Sequence, residues 1–176
     1  MGGVTLLVGG ARSGKSALAV EIARRHLGDV VVVATAEPFD DDLRDRIERH
    51  RADRPGWPTV EAPVELADAL ASIDDHAMVV LDCLTVWVGN LFHHLPDVAE
   101  RDARYDALLA AFAARRAPTV VVSNEVGMGV HPGGNLAREY RDELGRLNQR
   151  VAAIADTSLL LVAGRALTLR SPFDLL

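Results

Sequence analysis

Residues 6–16 read Leu6-Leu7-Val8-Gly9-Gly10-Ala11-Arg12-Ser13-Gly14-Lys15-Ser16, and this stretch decides the fold. An apolar strand runs into Gly-x-x-x-x-Gly-Lys-Ser, and a helical pattern follows from residue 16 to about residue 27. Glycines let successive backbone N–H groups turn inward around an anion, and the helix N-terminus adds partial positive charge. In such a P-loop, Lys15 would reach the terminal phosphates and Ser16 would offer its hydroxyl to Mg²⁺. The sequence therefore predicts a nucleoside triphosphate site.

The composition narrows the possible functions. The 176 residues are 49% hydrophobic and carry a formal net charge of −6. This length and hydrophobic content predict one ordered domain over residues 1–176, and the acidic balance argues against a nucleic-acid-binding surface. We find no apolar run long enough to span a bilayer and no signal-peptide pattern, so we expect a cytoplasmic location. The single cysteine, Cys83, excludes an internal disulfide and a cysteine zinc cluster.

Hydrophobic patterning predicts strands that alternate with helices. Strands are expected at 4–8, 30–34, 78–81, 119–123 and 159–162, with a weaker edge-strand pattern at 166–169. Helices are expected at about 16–27, 41–53, 64–72, 84–95, 99–116 and 135–155. The Val-rich runs lack polar alternation, which is typical of parallel strands buried on both faces. The pattern predicts an α/β fold with a mostly parallel sheet and helices on both faces.

The ends of three predicted strands carry residues suited to a ligand, because ligands of such sheets bind at the carboxyl ends of the strands. Asp82 ends the third strand, where it would either hold Mg²⁺ or simply start a turn. Ala34-Thr35-Ala36 ends the second, where small side chains would leave room for a ligand or form a tight turn. Glu125 follows the fourth, where it would orient a substrate, a water or the metal, or cap its own loop. The sequence alone leaves these alternatives open.

A histidine lies on the inner face of the predicted 41–53 helix. Leu43, Ile47 and His50 fall at i, i+4 and i+7, and the other positions of that turn are mostly charged. Neighbouring arginines disfavour a protonated imidazole, and a neutral histidine is a competent nucleophile toward phosphorus. These neighbours are Arg49, Arg51 and Arg54. The alternative is a helix-terminal histidine that bonds a carbonyl or faces solvent, and spacing alone favours that alternative.

Short segments from about residue 4 to residue 169 carry a family resemblance. They are Gly9 to Ser16, Ala34 to Ala36, Arg46-Ile47, His50-Arg51, Arg54-Pro55, Trp57, Glu61, Asp82 to Trp87, Asn90-Leu91, Ser123 to Gly127, Arg141-Asp142, Gly145 and Asn148-Gln149. In this order they resemble the bifunctional adenosylcobinamide kinase / adenosylcobinamide-phosphate guanylyltransferase family, which implies a RecA-like P-loop NTPase fold. The chain departs from the family pattern at Val130-His131-Pro132, where Ile-Val-Pro is usual.

The resemblance implies two reactions. The first transfers the γ-phosphate of ATP or GTP to the hydroxyl of the aminopropanol arm of adenosylcobinamide. The second transfers GMP from GTP to the phosphate so formed, through a guanylylated histidine that matches His50. The nucleotide and both forms of the corrinoid are then the partners, Mg²⁺ is the cofactor, and a homo-oligomer, with a trimer as our preferred state, is expected.

The same resemblance implies which residues form the site. His50 and Lys15 would be catalytic, and Ser16 and Asp82 would hold Mg²⁺. The expected nucleotide-binding residues are Gly9, Gly10, Ala11, Arg12, Ser13, Gly14, Lys15, Ser16, Ala34, Thr35, Ala36, Arg51, Ala52, Asp53, Arg54, Glu61 and Asp82. Two other functions compete with this reading: a small-metabolite kinase without a covalent intermediate, and a nucleotide-dependent switch that binds a protein partner.

Overall fold

The computed structural model describes residues 2–37 and 56–175, and seven strands in these ranges form one sheet. The strands are β1 Val4–Gly9, β2 Val30–Ala34, β3 Thr59–Glu61, β4 Met78–Asp82, β5 Thr119–Val122, β6 Thr157–Val162 and β7 Arg165–Leu169. Their order across the sheet is β3-β2-β4-β5-β1-β6-β7. Each neighbouring pair is parallel except β6 and β7, which form an antiparallel hairpin.

Helices cover both faces of this sheet. They are α1 Lys15–Arg24, α2 Leu66–Ser72, α3 Leu84–His94, α4 Val98–Ala114 and α5 Asn135–Ile154, with a short 3₁₀ helix at Pro172–Leu175. On one face, Ala19 and Ala23 of α1 pack against β-strand residues such as Val32 and Val80. On the other face, α2 to α5 pack their apolar sides against residues such as Leu81 and Val121. Full burial of each such aliphatic side chain stabilises the fold by about 1.5–3 kcal/mol.

The fold class predicted from sequence is confirmed. The order of the five central parallel strands, β2-β4-β5-β1-β6, is that of a RecA-like P-loop NTPase. All strands and helices predicted within residues 2–37 and 56–175 are present, and their ends differ from the prediction by up to three residues. The predicted helix at 41–53 lies outside the described residues.

Three differences from the sequence prediction have physical reasons. β3 was not predicted, because it is a three-residue edge strand with an exposed, unpatterned sequence next to Pro58. α1 ends at Arg24 rather than near residue 27, because Leu27 is fully exposed and Gly28 follows it. α2 begins at Leu66 rather than residue 64, because the carbonyl of Val64 accepts a bond from Leu66 N (3.0 Å) in a turn.

A buried ion pair joins α4 to α5. Arg101 donates to both carboxylate oxygens of Glu143, at 3.0 and 2.7 Å, and Tyr105 Oη donates to the same carboxylate at 2.9 Å. The remaining guanidinium nitrogen of Arg101 donates to the carbonyls of Leu95 and Pro96, both at 2.9 Å. Because every charged group in this cluster has partners, it fixes the position of α5 rather than leaving a reactive charge.

Candidate active site

The P-loop follows β1 and passes directly into α1. Gly14 has a φ of +102°, a backbone conformation that glycine adopts without strain. A Cβ atom at Gly9 would lie 2.3 Å from the carbonyl oxygen of Leu161 in β6, so only glycine fits there. The glycines of the motif are therefore required by the backbone geometry, as the sequence predicted.

Lys15 points back into the loop that precedes it. Its side chain is buried, and Nζ donates to the carbonyl oxygens of Gly9 (3.0 Å) and Gly10 (2.7 Å) and to Ser13 Oγ at 3.4 Å. The ammonium group thus lies inside the loop that would surround a phosphate. Three of the residues predicted to bind nucleotide, Gly9, Gly10 and Ser13, contact this amine, and their role in nucleotide binding stays a prediction.

Burial sets the electrostatics of this amine. Burial lowers the pKa of Lys15, and the neighbouring Cys83 and Asp82 oppose that shift. Burial and the nearby Asp82 raise the pKa of the Cys83 thiol to about 11, so this thiol stays protonated near neutral pH. A negatively charged ligand beside Lys15 would stabilise the ammonium and so offset the effect of burial on its pKa.

Asp82 and Ser16, the predicted Mg²⁺ ligands, lie at a strand end and in the first turn of a helix, and their metal role stays a prediction. Asp82 is the last residue of β4 and pairs with Ala34 of β2 and Val122 of β5, two neighbours at the carboxyl edge of the sheet. Ser16 lies in the first turn of α1, directly after Lys15. Within residues 2–37 and 56–175, no three His, Cys, Asp or Glu side chains form a metal cage. A nucleotide-bound Mg²⁺ needs only one or two protein ligands, because phosphate and water supply the rest.

Thr35 fixes the backbone next to Asp82. Its side chain is fully buried, and Oγ1 accepts a hydrogen bond from Cys83 N (3.0 Å) and donates to Cys83 O (2.8 Å). Asn90 Nδ2 donates to Thr35 O at 2.7 Å and to Pro63 O at 3.0 Å. The Thr35 side chain therefore positions the segment after β4, and the role of Ala34 to Ala36 in nucleotide binding stays a prediction.

The segment after β5 is held against the P-loop. Glu125 N donates to Gly9 O at 3.1 Å, and Asn124 N donates to Thr85 Oγ1 at 2.7 Å. Asn148 of α5 accepts from Ser123 Oγ at 2.6 Å and donates to Asn124 O at 3.0 Å. Three elements thus fix the backbone of Glu125 beside the phosphate loop.

Glu61 lies away from the P-loop, whereas the histidine segment lies outside the described residues. Glu61 ends β3 and pairs with Ala34 of β2. Four strand spacings separate β3 from β1, which is about 19 Å across the sheet. His50, Arg51, Ala52, Asp53 and Arg54 lie outside the described residues.

Several positioning residues had no assigned role in the sequence prediction. The ends of the strands are held by Asn90, Thr85 and Asn148. Each is a polar residue on a largely apolar helix face, and that pattern in the sequence could have identified them. The β6–β7 turn was not linked to the site at all. Its residues Ala163 and Gly164 have φ angles of +51° and +72°, and Gly164 N donates to Ser13 O at 3.0 Å.

A cavity of about 570 Å³ lies between α5 and the sheet, next to the segment that follows β5. Its apolar wall includes Leu6, Val8 and Leu169, and its polar wall includes Glu125, Arg141 and Gln149. Because Leu6 and Leu169 both pair with Ser158, they mark the end of the cavity far from the P-loop. Glu125 marks the end next to it.

Comparison with known sequences gives a family. The profile of the family described as cobinamide kinase / cobinamide phosphate guanyltransferase matches residues 5–169. The bifunctional adenosylcobalamin biosynthesis protein CobP of Pseudomonas aeruginosa is 41% identical over 168 residues, which covers 94% of this chain and 96% of the relative. The bifunctional adenosylcobalamin biosynthesis protein CobU of Escherichia coli is 39% identical, over 90% of this chain and 95% of the relative.

Comparison with solved structures supports the fold alone. An ATPase from the type III secretion system of pathogenic bacteria superposes with a TM-score of 0.59 at 13% identity, over 92% of this chain and 51% of that one. A Pyrococcus horikoshii protein superposes with a TM-score of 0.59 at 9% identity, over 97% of this chain and 87% of that one. None of the helices described here has the length and apolarity that crossing a membrane requires.

Proposed function

Because the chain belongs to the cobinamide kinase / cobinamide phosphate guanyltransferase family, we propose that one nucleotide site on its P-loop serves two successive transfers. The protein is an enzyme of cobalamin biosynthesis with kinase and guanylyltransferase activities. The kinase step passes the γ-phosphate of ATP or GTP to the hydroxyl of the aminopropanol arm of adenosylcobinamide. The second step passes GMP from GTP to that phosphate and releases pyrophosphate.

The position of Lys15 carries this proposal. Its buried Nζ lies between the carbonyl oxygens of Gly9 and Gly10, inside the loop that would receive the phosphates. In both transfers negative charge moves between phosphoryl oxygens, and a buried cation next to them stabilises the transition state more than an exposed one would. The same amine therefore serves transfer at the γ-phosphorus and at the α-phosphorus.

Mg²⁺ would bind beside this amine. The Ser16 hydroxyl and the Asp82 carboxylate are the proposed protein ligands, since hard oxygen donors are what this ion prefers. When bound, the ion neutralises charge on the phosphate oxygens. Thr35 supports this arrangement by fixing the backbone that follows Asp82.

His50 is the proposed carrier of GMP. A ring nitrogen of His50 attacks the α-phosphorus of GTP, and pyrophosphate leaves with the electrons of the broken P–O bond. A phosphate oxygen of adenosylcobinamide phosphate then attacks the same phosphorus and frees the histidine. The proposed nucleotide-binding residues Arg51 to Arg54 adjoin His50 in sequence. Ala34 and Glu61 pair across β2 and β3, and they precede and follow this segment in the sequence.

A homo-oligomer, with a trimer as the proposed state, is supported by the apolar edge that β6 and β7 present. Val162 and Leu167 are 58% and 64% exposed, and Phe173 beyond them is 80% exposed. An exposed apolar edge of this kind is typical of a protein–protein contact. Light scattering of the purified protein tests the proposed trimer. A cytoplasmic location is proposed because ATP and GTP are the substrates.

Labelled GTP tests the proposed function. We expect the γ-label to pass to adenosylcobinamide, and the α-label to appear first on the protein and then on the corrinoid. A kinase without a covalent intermediate would transfer only the γ-label. A nucleotide-dependent switch would pass neither label to the corrinoid or to the protein.

A further inference from the structure

Glu125 contacts the P-loop through its backbone and lines the cavity beside α5. The Glu125 backbone N–H donates to Gly9 O at 3.1 Å, because β5 and β1 are neighbours in the sheet. Its side chain is half-buried, lines the cavity, and accepts a hydrogen bond through Oε1 from the backbone N–H of Gly127. A carboxylate has two oxygens, so Oε1 can hold the loop while Oε2 accepts a proton.

The cavity combines an apolar wall with several charged and polar side chains. Its volume is about 570 Å³, and its far end is apolar, with Leu6 and Leu169 in the wall. Its polar groups include Glu125, Arg141 and Gln149. A hydroxyl-bearing arm in this cavity would therefore lie beside Glu125, next to the P-loop.

Arg141 supplies a cation at the cavity wall. Its Nε donates to Asp142 Oδ1 at 2.9 Å, a second guanidinium nitrogen lies 2.7 Å from the same oxygen in an ion pair, and the third contacts His131 Nδ1 at 3.1 Å. The Arg141 side chain is 23% exposed and that of Asp142 is 50% exposed. A phosphate dianion would compete well for this planar fork against a half-exposed carboxylate.

We propose that this cavity is the acceptor site, that Glu125 takes the proton of the acceptor hydroxyl, and that Arg141 binds the phosphate formed on that hydroxyl. This inference rests on the proposed function and adds residues that neither the P-loop nor His50 supplies. The acceptor oxygen forms its bond to the γ-phosphorus, and its proton passes to the Glu125 carboxylate. The bond from the γ-phosphorus to the β–γ bridging oxygen breaks, and its electron pair leaves with the nucleoside diphosphate.

The two reactions of the enzyme make a selective test of Glu125. The kinase acceptor is a hydroxyl that must lose a proton, whereas the guanylyl acceptor is a phosphate whose attacking oxygen is already deprotonated. Glu125→Gln keeps an oxygen for the Gly127 N–H but removes the base. We expect the kinase kcat to fall by at least ~10²-fold, as for loss of a general base. Guanylyl transfer to synthetic adenosylcobinamide phosphate should stay within a few-fold of wild type.

A matched control is Glu139→Gln, a carboxylate on the exposed side of α5. It should retain both activities, and the thermal midpoints of all variants should be compared. An equal fall of both activities in Glu125→Gln would assign Glu125 a structural role, and unchanged kinase activity would remove it from the reaction. Either result overturns the inference. Wild-type protein that phosphorylates but never carries labelled GMP would instead contradict the proposed function, and the kinase comparison would still decide the role of Glu125.

The role of Arg141 in binding phosphate is tested separately, by comparing KM values in the two reactions. Arg141→Gln should raise KM for adenosylcobinamide phosphate in the guanylyl reaction by at least ~10-fold, because a charge-assisted contact to the phosphate is lost. KM for adenosylcobinamide in the kinase reaction should change much less, since that substrate has no phosphate there. Equal changes in both KM values would contradict phosphate binding by Arg141.

Discussion

Gly164 in the β6–β7 turn donates its backbone N–H to the carbonyl oxygen of Ser13, at 3.0 Å, and so ties the hairpin to the P-loop. The two residues are 151 positions apart in sequence. Gly14 also approaches this turn, since a Cβ on Gly14 would lie 3.4 Å from Gly164 Cα. The conformation of the phosphate loop therefore depends on the turn geometry of an otherwise exposed hairpin.

The two turn residues predict opposite effects of exchanging glycine and alanine. Both have positive φ, at +51° for Ala163 and +72° for Gly164. Gly164→Ala should lower the free energy of unfolding by about 1 kcal/mol, and Ala163→Gly should raise it by up to about 1 kcal/mol. Urea denaturation measures both. If the two substitutions changed stability in the same direction, the turn would not have the conformation described.

Thr35→Val should destabilise the protein by about 2–4 kcal/mol. The substitution preserves shape but removes both hydrogen bonds to Cys83. The part-buried Cys83 N–H loses its partner, at a typical cost of about 1–3 kcal/mol, and the Cys83 carbonyl keeps only the Trp87 N–H, at a cost of about 0.5–1.5 kcal/mol for the lost bond. Thr35→Ser keeps the hydroxyl and is the matched control, with a cost of about 1 kcal/mol for one buried methyl group. Chemical denaturation of both variants checks this. Equal losses would mean that packing, rather than the bonds to Cys83, fixes this segment.

The buried pair between α4 and α5 predicts a pH dependence of stability. Burial by itself would raise the pKa of Glu143, but hydrogen bonds from Arg101 and Tyr105 hold it below its ordinary value of 4.5. A lowered folded-state pKa means that the stabilisation is complete above about pH 4.5 and is lost as the pH falls through the folded-state value. Urea denaturation between pH 7 and pH 3 should record this loss, among the contributions of other carboxylates.

Glu143→Gln separates that contribution from the others. The variant should be less stable at neutral pH by about 3–5 kcal/mol, because Arg101 stays buried without a countercharge. Its stability should then change less with falling pH than that of wild type. Parallel pH profiles for the two proteins would show that Glu143 makes no titrating contribution.

Lys15→Ala should abolish both transfers. Loss of the buried ammonium removes charge stabilisation from each transition state, and we expect a fall of at least ~10²-fold in each kcat. Arg25→Ala, which removes an exposed ion pair with Glu21 near the end of the same helix, is the control and should leave both rates unchanged. Steady-state assays of the two reactions decide this. Survival of either activity near the wild-type rate would rule out a single shared phosphate site.

Most of the sheet could be predicted from the sequence because its central strands are apolar on both faces. β4 and β5 carry unbroken runs of buried Val and Leu, and in an α/β fold such a run is typical of a central parallel strand. β3 has no such pattern, since it is short, exposed and defined only by its pairing with β2. Strand pairing is a tertiary property, and no local pattern in residues 59–61 encodes it.

The P-loop site could be predicted to a similar depth. The contiguous motif identifies Lys15 and the glycines, because backbone geometry and chemistry are both local there. The supporting contacts are not local: Thr35 bonds a residue 48 positions away, and Asn90 bonds Thr35 across 55 positions. A sequence indicates that such polar residues are unusual on an apolar face, but only the fold shows which backbone groups they satisfy.

The central claim is that His50 carries GMP between the two substrates, and labelling with α-labelled GTP tests it most directly. Wild-type protein should take up one label per active chain through an acid-labile, alkali-stable bond, as a phosphoramidate requires. His50→Ala should take up none and lose guanylyl transfer, while still phosphorylating adenosylcobinamide. His76→Ala, which removes an exposed histidine, should label like wild type. Covalent uptake of GMP by His50→Ala, or label on the protein from γ-labelled GTP instead, would contradict the double-displacement mechanism at this residue.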